Sequence, residues 1–309
     1  MDRTGSSRAS KKYGRMNLLV LLCQTLAWAG LTSAMVVIQP WSLRALLLLI
    51  FCVMMQGVFS MMHECYHGHG HPSRTLNYAM GLLASILFGT SATLFKINHL
   101  GHHVRNRSRA ELAEYVFPDE SPLKKWILYY VAVFGGIWAL GLLGSLAVAV
   151  LPIRWITELA RDIRGNTYFA AFRDFRPTDL HRIRRETIAG ILFWVAVAHL
   201  FAWPLADLAW IYSGFAFSWS SLQWVYHMRT PIDVVEGAYN LRLPRAMRLL
   251  FLNFNYNLSH HRDPAMPWQE LYRRSSPGET RPLWFNYLRI FKAPEPLPGD
   301  PAGLRKTYF

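Results

Sequence analysis

Six long apolar segments limit what this chain can fold into more than any other feature of its sequence. They contain no Asp, Glu, Lys or Arg, and they are Asn17–Ile38, Ala45–Met62, Thr75–Phe95, Trp126–Ile153, Thr187–Ala206 and Leu208–Tyr226. Because roughly 20 mostly apolar residues in a helix cross the bilayer core, segments of this length predict membrane-spanning helices. We expect an all-α fold, a polytopic membrane helical bundle with about 4–6 apolar segments.

The charge distribution supports a membrane topology. Only 17% of the 309 residues are charged, and the formal net charge is +14. A soluble domain has about a quarter of its residues charged. The basic residues lie between the apolar segments, whereas in a nucleic-acid-binding protein they cluster on one face. We therefore expect no nucleic-acid partner.

Two basic regions orient the predicted bundle. The N-terminal tail, residues 1–16, carries Arg3, Arg8, Lys11, Lys12 and Arg15. The Arg-rich loop, residues 154–185, carries eight arginines. By the positive-inside rule both regions lie in the cytoplasm. We expect an integral, multi-pass protein of a bacterial inner membrane, with a single membrane-embedded domain over residues 1–309 that ends in a cytoplasmic tail at 269–309.

Two segments do not fit a simple crossing. Thr75–Phe95 has histidines on both flanks, so it must be re-entrant or lie in the interface if those histidines share one side. Trp126–Ile153 would be about 42 Å long as one helix, too long for one untilted crossing and too short for two. A break at Gly135 and Gly136 would turn it into a shallow hairpin. We expect Thr187–Tyr226 to form a helical hairpin.

Nine of the twelve histidines fall into three tight clusters at the ends of apolar segments. The clusters are His63, His67, His69 and His71, then His99, His102 and His103, and finally His260 and His261. Residues three or four apart share a helix face, so the first two clusters can each point several imidazoles into one site. Adjacent rings diverge by about 100° on a helix, which suits a pair of metal ions.

The number of histidines indicates more than one ion. Imidazole binds Zn, Cu, Fe and Ni, so the ligand type alone leaves the metal open. The clusters contain more ligands than one tetrahedral zinc needs, and two ions with open positions match them better. A transporter or metal carrier would place ionisable residues along a path across the membrane. The position of the clusters at segment ends favours an enzyme.

Three motifs in a fixed order carry a family resemblance. They are HECYH at 63–67, HLGHH at 99–103 and NLSHH at 257–261. They resemble the HxxxH, HxxHH and (H/Q)xxHH boxes of the membrane fatty acid desaturase and hydroxylase superfamily, over about Ala45 to Trp268. The resemblance implies a non-haem di-iron centre in a histidine-rich cap on the cytoplasmic side, with O2 as co-substrate and a lipid or fatty-acyl chain as substrate.

The resemblance also implies a ligand set. The eight histidines are His63, His67, His99, His102, His103, His227, His260 and His261. His227 belongs to this set because relatives of known structure draw a further histidine from the last transmembrane helix. Asn257 stands where His or Gln is commoner, and it is a ligand directly or through water, or binds no metal. Gln223, one turn before His227, is a candidate to hold water, and His71 is an alternative ligand.

Charged residues beside the boxes have two interpretations each. Glu64 and Asp263 either accept a hydrogen bond from the second nitrogen of a metal-bound ring or are ordinary surface acids. Arg105, Arg107 and Arg109 either face anionic lipid as cytoplasmic charge or contact the substrate headgroup or an acidic electron donor.

The box pattern resembles the desaturase branch more than the alkane hydroxylases or carotenoid ketolases. We therefore expect an acyl-lipid desaturase that introduces a double bond, with a membrane hydroxylase or ketolase acting on a lipid, alkane or carotenoid as the alternative. HECYH also matches the HExxH motif of zinc proteases, but such a protease needs only one further ligand. The sequence has no HPGG haem motif and no Cys-rich iron–sulfur pattern. An external ferredoxin, rubredoxin or cytochrome b5-like donor is expected.

Overall fold

The structure, a computed structural model, describes residues 3–162 and 175–299, with side chains from residue 13 to 158 in the first range. The helices in these ranges are α1 (Arg3–Val37), α2 (Trp41–Tyr66), α3 (Arg74–Phe88), α4 (Ala92–Arg105), α5 (Pro122–Val131), α6 (Ile137–Val150), α7 (Ile153–Asp162), α8 (Pro177–Leu200), α9 (Leu205–His227), α10 (Arg245–Leu250), α11 (Asn257–Arg262) and α12 (Leu283–Arg289). The strands are β1 (Tyr115–Val116), β2 (Asn240–Arg242), β3 (Thr280–Pro282) and β4 (Glu295–Pro296).

The prediction of an all-α fold is confirmed. The strands form two short parallel pairs, β1 with β4 and β2 with β3, whereas 69% of the structure is helical. Residues 163–174 of the predicted Arg-rich loop and residues 300–309 of the predicted C-terminal tail lie outside the described residues.

Three helices are long and apolar enough to cross a membrane. They are Tyr13–Val37 of α1, Trp41–Tyr66, and Pro122–Val150, which joins α5 and α6. The bent pair α3 and α4 makes a fourth if it is counted as one span. This number agrees with the predicted membrane bundle. α8 and α9 fall outside this set because charged residues lie in the first half of α8, and Ser, Tyr and Trp are frequent in α9.

The segment between the first two histidine clusters turns back on itself. Gly89, with a φ of 92°, ends α3 in the left-handed conformation that glycine adopts without strain. The Ser91 hydroxyl then accepts a hydrogen bond from the Leu94 N–H and begins α4, which leaves at 96° to α3. As a result His67 and His99, on opposite flanks of the segment, lie 2.9 Å apart at their Nε2 atoms. This is the geometry that the re-entrant alternative predicts.

A second break separates α5 from α6. Gly135 has a φ of 119° inside a π-helical turn, so the regular helix is interrupted there. Before the break, the Tyr129 hydroxyl donates a hydrogen bond to the Sδ atom of Met228, the residue after His227. After the break, the Val148 carbonyl accepts a hydrogen bond from Arg184, near the start of α8. The break therefore falls at the predicted Gly135 and Gly136, and the segment is not one straight helix.

The predicted helical hairpin corresponds to α8 and α9. The rings of Trp194 and Tyr212 lie 5.2 Å apart at roughly equal distances from the connecting turn, so the two helices run antiparallel. Arg44, near the start of α2, forms an ion pair with Asp207, near the start of α9. The beginnings of α2 and α9 thus lie together, at the end of the bundle opposite to the histidines.

At Gly57, α2 lies close to the segment that leads to the third histidine box. A Cβ at this position would lie 2.3 Å from the Leu250 carbonyl oxygen. We expect Gly57→Ala to destabilise the protein by about 1–3 kcal/mol, because backbone must move to admit the methyl group. Thermal unfolding in detergent measures this as a midpoint several degrees lower.

Gly30→Ala is the matched control, since a Cβ at Gly30 in α1 meets nothing within 4 Å. Equal unfolding midpoints for the two variants would contradict the predicted clash at Gly57.

Candidate metal centre

Four helices and one turn bring eight histidines to one end of the bundle. The last turn of α2 carries His63, and His67 follows its end; α4 carries His99, His102 and His103; His227 is the last residue of α9; and α11 carries His260 and His261. α11 is held in place by Asn240, whose Oδ1 accepts a hydrogen bond from the Ser259 N–H at 3.1 Å. Segments far apart in sequence therefore meet at one centre.

Five of these side chains form the first group, the five-histidine group. It consists of His63, His67, His99, His103 and His260, whose candidate ligand atoms all lie within 4.8 Å of one another. The Nε2 atom of His99 lies 2.9 Å from that of His67 and 3.0 Å from that of His103. The Nε2 atom of His103 also lies 2.9 Å from that of His260.

Hydrogen bonding alone does not satisfy these contacts. An imidazole nitrogen either donates one hydrogen or accepts one, whereas the Nε2 atoms of His99 and His103 each meet two other ring nitrogens. Within the described ranges, the buried Nε2 of His63 has no hydrogen-bond partner. Converging nitrogen lone pairs are the donor set of a metal ion. The five-histidine group therefore fits a cation at its centre.

The remaining three side chains form the three-histidine group, which consists of His102, His227 and His261. Their candidate ligand atoms also lie within 4.8 Å of one another. The two groups adjoin, since the rings of His103 and His261 are 4.6 Å apart. The adjacent pairs His102–His103 and His260–His261 each contribute one ring to each group. The divergence of neighbouring rings on a helix predicts this division. Ligation by these residues stays a prediction.

The imidazoles of His67, His260 and His261 are neutral at pH 7. Burial, with smaller contributions from charge on His69 and Lys96, lowers the pKa of His67 to about 4. Burial also holds the pKa of His260 and that of His261 well below the usual value, with a contribution from neighbouring histidines. A neutral imidazole is the form that binds metal. These side chains therefore offer free lone pairs at neutral pH.

Two acceptors orient rings of the three-histidine group. The Nδ1–H of His102 donates to Glu111 Oε2 at 2.5 Å, and the Nδ1–H of His227 donates to the Gly237 carbonyl at 3.0 Å. Such a bond fixes the tautomer and leaves Nε2 free to face a metal. Glu111 was not predicted from the sequence. The only signal for it is an acid shortly after the second box, in a stretch otherwise rich in arginine.

The predicted acidic neighbours lie in different surroundings. Glu64 Oε1 is 4.0 Å from His63 Nδ1, and Glu64 Oε2 accepts a hydrogen bond from the Trp268 N–H at 3.2 Å. Glu64 therefore joins the end of α2 to the chain beyond the third box. In the part of the chain that the structure describes, no hydrogen bond joins Asp263 to His261. Burial lowers the pKa of His69, and the charge of Asp263 opposes this shift only in part.

Two amide side chains lie close in sequence to histidines of the three-histidine group. Asn257 and Gln223 each lie four residues before a histidine of that group, His261 and His227, and so share a helix face with it. Among the described residues, the buried Asn257 Oδ1 and Gln223 Nε2 have no hydrogen-bond partner. His71 lies outside both groups, and its Nδ1 accepts a hydrogen bond from the Ser73 N–H.

The arginines after the second box lie in different surroundings. Arg107 is buried, donates to Glu114 at 2.6 Å, and also donates to the carbonyl of Thr230. Arg105 is buried as well, with its Nε 3.7 Å from Glu111. The guanidinium groups of both are enclosed by protein, and their contact with a substrate headgroup or an electron donor stays a prediction.

Arg109 differs from the two buried arginines because it lies nearer the surface. Its guanidinium pairs with Asp119 at 2.5 Å, and this pairing lowers the pKa of the Asp119 carboxyl. A role for Arg109 at the surface stays a prediction.

The family model for fatty acid desaturases matches residues 39–275, which include all three histidine boxes. The chain belongs to the fatty acid desaturase family. The protein is therefore a membrane-associated oxidoreductase of the desaturase and hydroxylase type. The family also implies a lipid substrate. A match over all three boxes leaves the HExxH protease interpretation without support. No curated relative matches the chain.

Proposed function

We propose that this member of the fatty acid desaturase family is an O2-dependent, di-iron desaturase that introduces a double bond into an acyl chain of a membrane lipid. The observation that carries the proposal is the pair of adjoining histidine groups, one of five and one of three, at one end of an apolar bundle. Their neutral imidazoles and the family match both support a redox metal centre acting on lipid.

Each histidine group would hold one iron. In the three-histidine group, Asn257 Oδ1, or a water held near Gln223, would complete the ligand set. When bound, two irons supply the redox chemistry that uses O2 and external electrons to remove hydrogen from an unactivated methylene. The chain's own contribution is to keep the imidazoles neutral and oriented. Glu111 and the Gly237 carbonyl do this for the rings of His102 and His227.

An aromatic layer supports the apolar character of the proposed reaction. The ring of His63 lies 5.0 Å from Phe254, which lies 5.1 Å from Phe59. Phe59 in turn lies 5.2 Å from Trp219. These rings exclude water from the bundle side of the five-histidine group and offer an apolar surface for a methylene chain. Holding a methylene beside the centre is a positioning effect that changes rates by orders of magnitude.

We propose that α1, α2, α8 and α9 cross the membrane and that the histidines face the cytoplasm. The Asn17 amide donates to the carbonyls of His69 and Gly70 at 3.2 and 3.1 Å, so the basic N-terminal tail adjoins the first histidine cluster. The positive-inside rule assigns that end to the cytoplasm. The pairs α3–α4 and α5–α6 would enter from the same side and return. A bacterial inner membrane and a separate ferredoxin, rubredoxin or cytochrome b5-like donor complete the proposal.

Expression in a host of defined lipid composition tests this function. We expect membranes from expressing cells to contain a new monounsaturated acyl chain, seen by mass spectrometry, and the purified protein to contain two irons per chain. Membranes from cells with an empty vector provide the baseline. A hydroxylated or oxo product would replace desaturation by the hydroxylase or ketolase alternative. One zinc per chain with an unchanged lipid profile would overturn the oxidoreductase proposal.

A further inference from the structure

A large cleft opens beside the five-histidine group, between α3, α4 and the start of α8. Its volume is about 1150 Å³, and His67 forms part of its wall. Part of the wall is apolar and is formed by Leu82, Ala92 and Ala189. Charged and polar side chains form much of the rest, so the cleft suits an amphiphile with one polar and one apolar end.

The polar wall of this cleft is strongly basic. Arg74, Lys96, Arg182 and Arg185 contribute to the wall, and all four side chains are exposed. In the described ranges, none of the four forms an ion pair. Four cations that face one cleft without carboxylate partners create a positive potential that attracts an anion.

Glu186, the acid in the wall, offsets only part of this positive charge, since four cations face one carboxylate. Glu186 is buried and accepts hydrogen bonds from the hydroxyls of Tyr78, Ser91 and Thr93 and from the Thr93 N–H, at 2.6 to 2.8 Å. Four donors on one carboxylate use its lone pairs. Glu186 therefore ties α8 to α3 and to the start of α4, which fixes the shape of the cleft.

We propose that this cleft binds the anionic headgroup of the acyl substrate, a carboxylate or a phosphate, with Arg182 and Arg185 as its principal counter-charges. This inference rests on the proposed function, because it assumes that the amphiphile bound in the cleft is the substrate. A concave cleft of this size suits a whole small amphiphile, whereas a protein partner such as an acidic electron donor binds over a broader surface. His67 in the wall places the headgroup next to the histidines, so the acyl chain begins beside them.

Equilibrium binding to the purified, iron-loaded full chain in a neutral detergent tests the proposal. The probes are stearate, stearoyl lysophosphatidic acid and monostearin, which share one acyl chain and differ in headgroup. We expect at least one anionic probe to bind about tenfold more tightly than neutral monostearin. A preference for stearate identifies a carboxylate as the ligand, and a preference for the lysophosphatidic acid identifies a phosphate.

The double variant Arg182→Gln/Arg185→Gln should lose most of this preference, while its affinity for monostearin and its iron content stay unchanged. The matched control is Arg154→Gln/Arg245→Gln, which removes two exposed arginines outside the cleft wall and should keep the preference. Equal affinities for all three probes in the wild-type protein, or an undiminished preference in the cleft variant, would overturn the inference. So would a cleft variant that is reduced more slowly by an acidic donor protein but binds the probes normally.

Binding and turnover separate the two proposals. If the wild-type protein prefers anionic probes but forms no unsaturated product, the anion site is supported and the proposed desaturase function is overturned. Product formation with equal affinities for the three probes would leave the function intact and remove the headgroup site.

Discussion

Replacing His102 with Ala is expected to abolish product formation and to lower the iron content from two ions per chain to one. His102 is one of three histidines in its group, so its loss leaves two imidazoles to hold an ion. The effect should exceed the 10- to 100-fold loss that is typical of removing a residue that only orients a ligand. Lipid profiling and metal analysis of the purified protein measure both consequences.

His199→Ala is the matched control for this variant. His199 is an exposed residue of α8 outside both histidine groups, so its replacement should leave product and iron unchanged. Correct membrane insertion of His102→Ala distinguishes loss of a ligand from loss of the fold. Full activity in correctly inserted His102→Ala would remove this residue from the centre.

Glu111→Gln is expected to weaken metal retention by about 10- to 100-fold and to lower turnover in proportion. The carboxylate accepts the Nδ1–H of His102 at 2.5 Å, so it fixes the ring and increases its basicity. Glutamine keeps the size of the side chain but carries no charge, and its amide accepts a weaker hydrogen bond. Iron loss during dialysis against a chelator measures the change.

Asp119→Asn tests whether any carboxylate in this loop has the same effect. Asp119 is exposed and pairs with Arg109, away from the histidines, so its replacement should not change iron loss. Identical iron loss in Glu111→Gln and in the wild-type protein would show that the contact has no role in orienting His102.

The positions of the histidines could be anticipated because their signals are local. Spacings of three and four residues place rings on one helix face, and adjacent residues point in different directions whatever the rest of the fold does. The structure gathers the eight histidines that were predicted, divided between two groups. His227 shows the limit of spacing, since it is isolated in sequence and was included only through the family resemblance.

The surroundings of the histidines could not be anticipated in this way. Arg105, Arg107 and Arg109 look alike in sequence, yet two are buried and the third is paired near the surface. Arg107 is buried because Glu114 and backbone carbonyls from the segment after α9 enclose it. Glu111 reaches His102 across a loop without helical periodicity, so no spacing rule points to it.

The apolar segments that open the sequence were sufficient to predict a helical membrane bundle, because bilayer thickness and the helical rise are properties of any segment taken alone. They were not sufficient to predict its topology. By length and hydropathy, α8 and α9 are not among the helices that could span a membrane. The ion pair between Asp207 and Arg44 nevertheless places the start of α9 beside the start of α2, at the end far from the histidines. The break at Gly135 was one of the arrangements that the sequence left open, and the structure decides in its favour. Contacts between distant segments decide these features, and only the tertiary structure contains them.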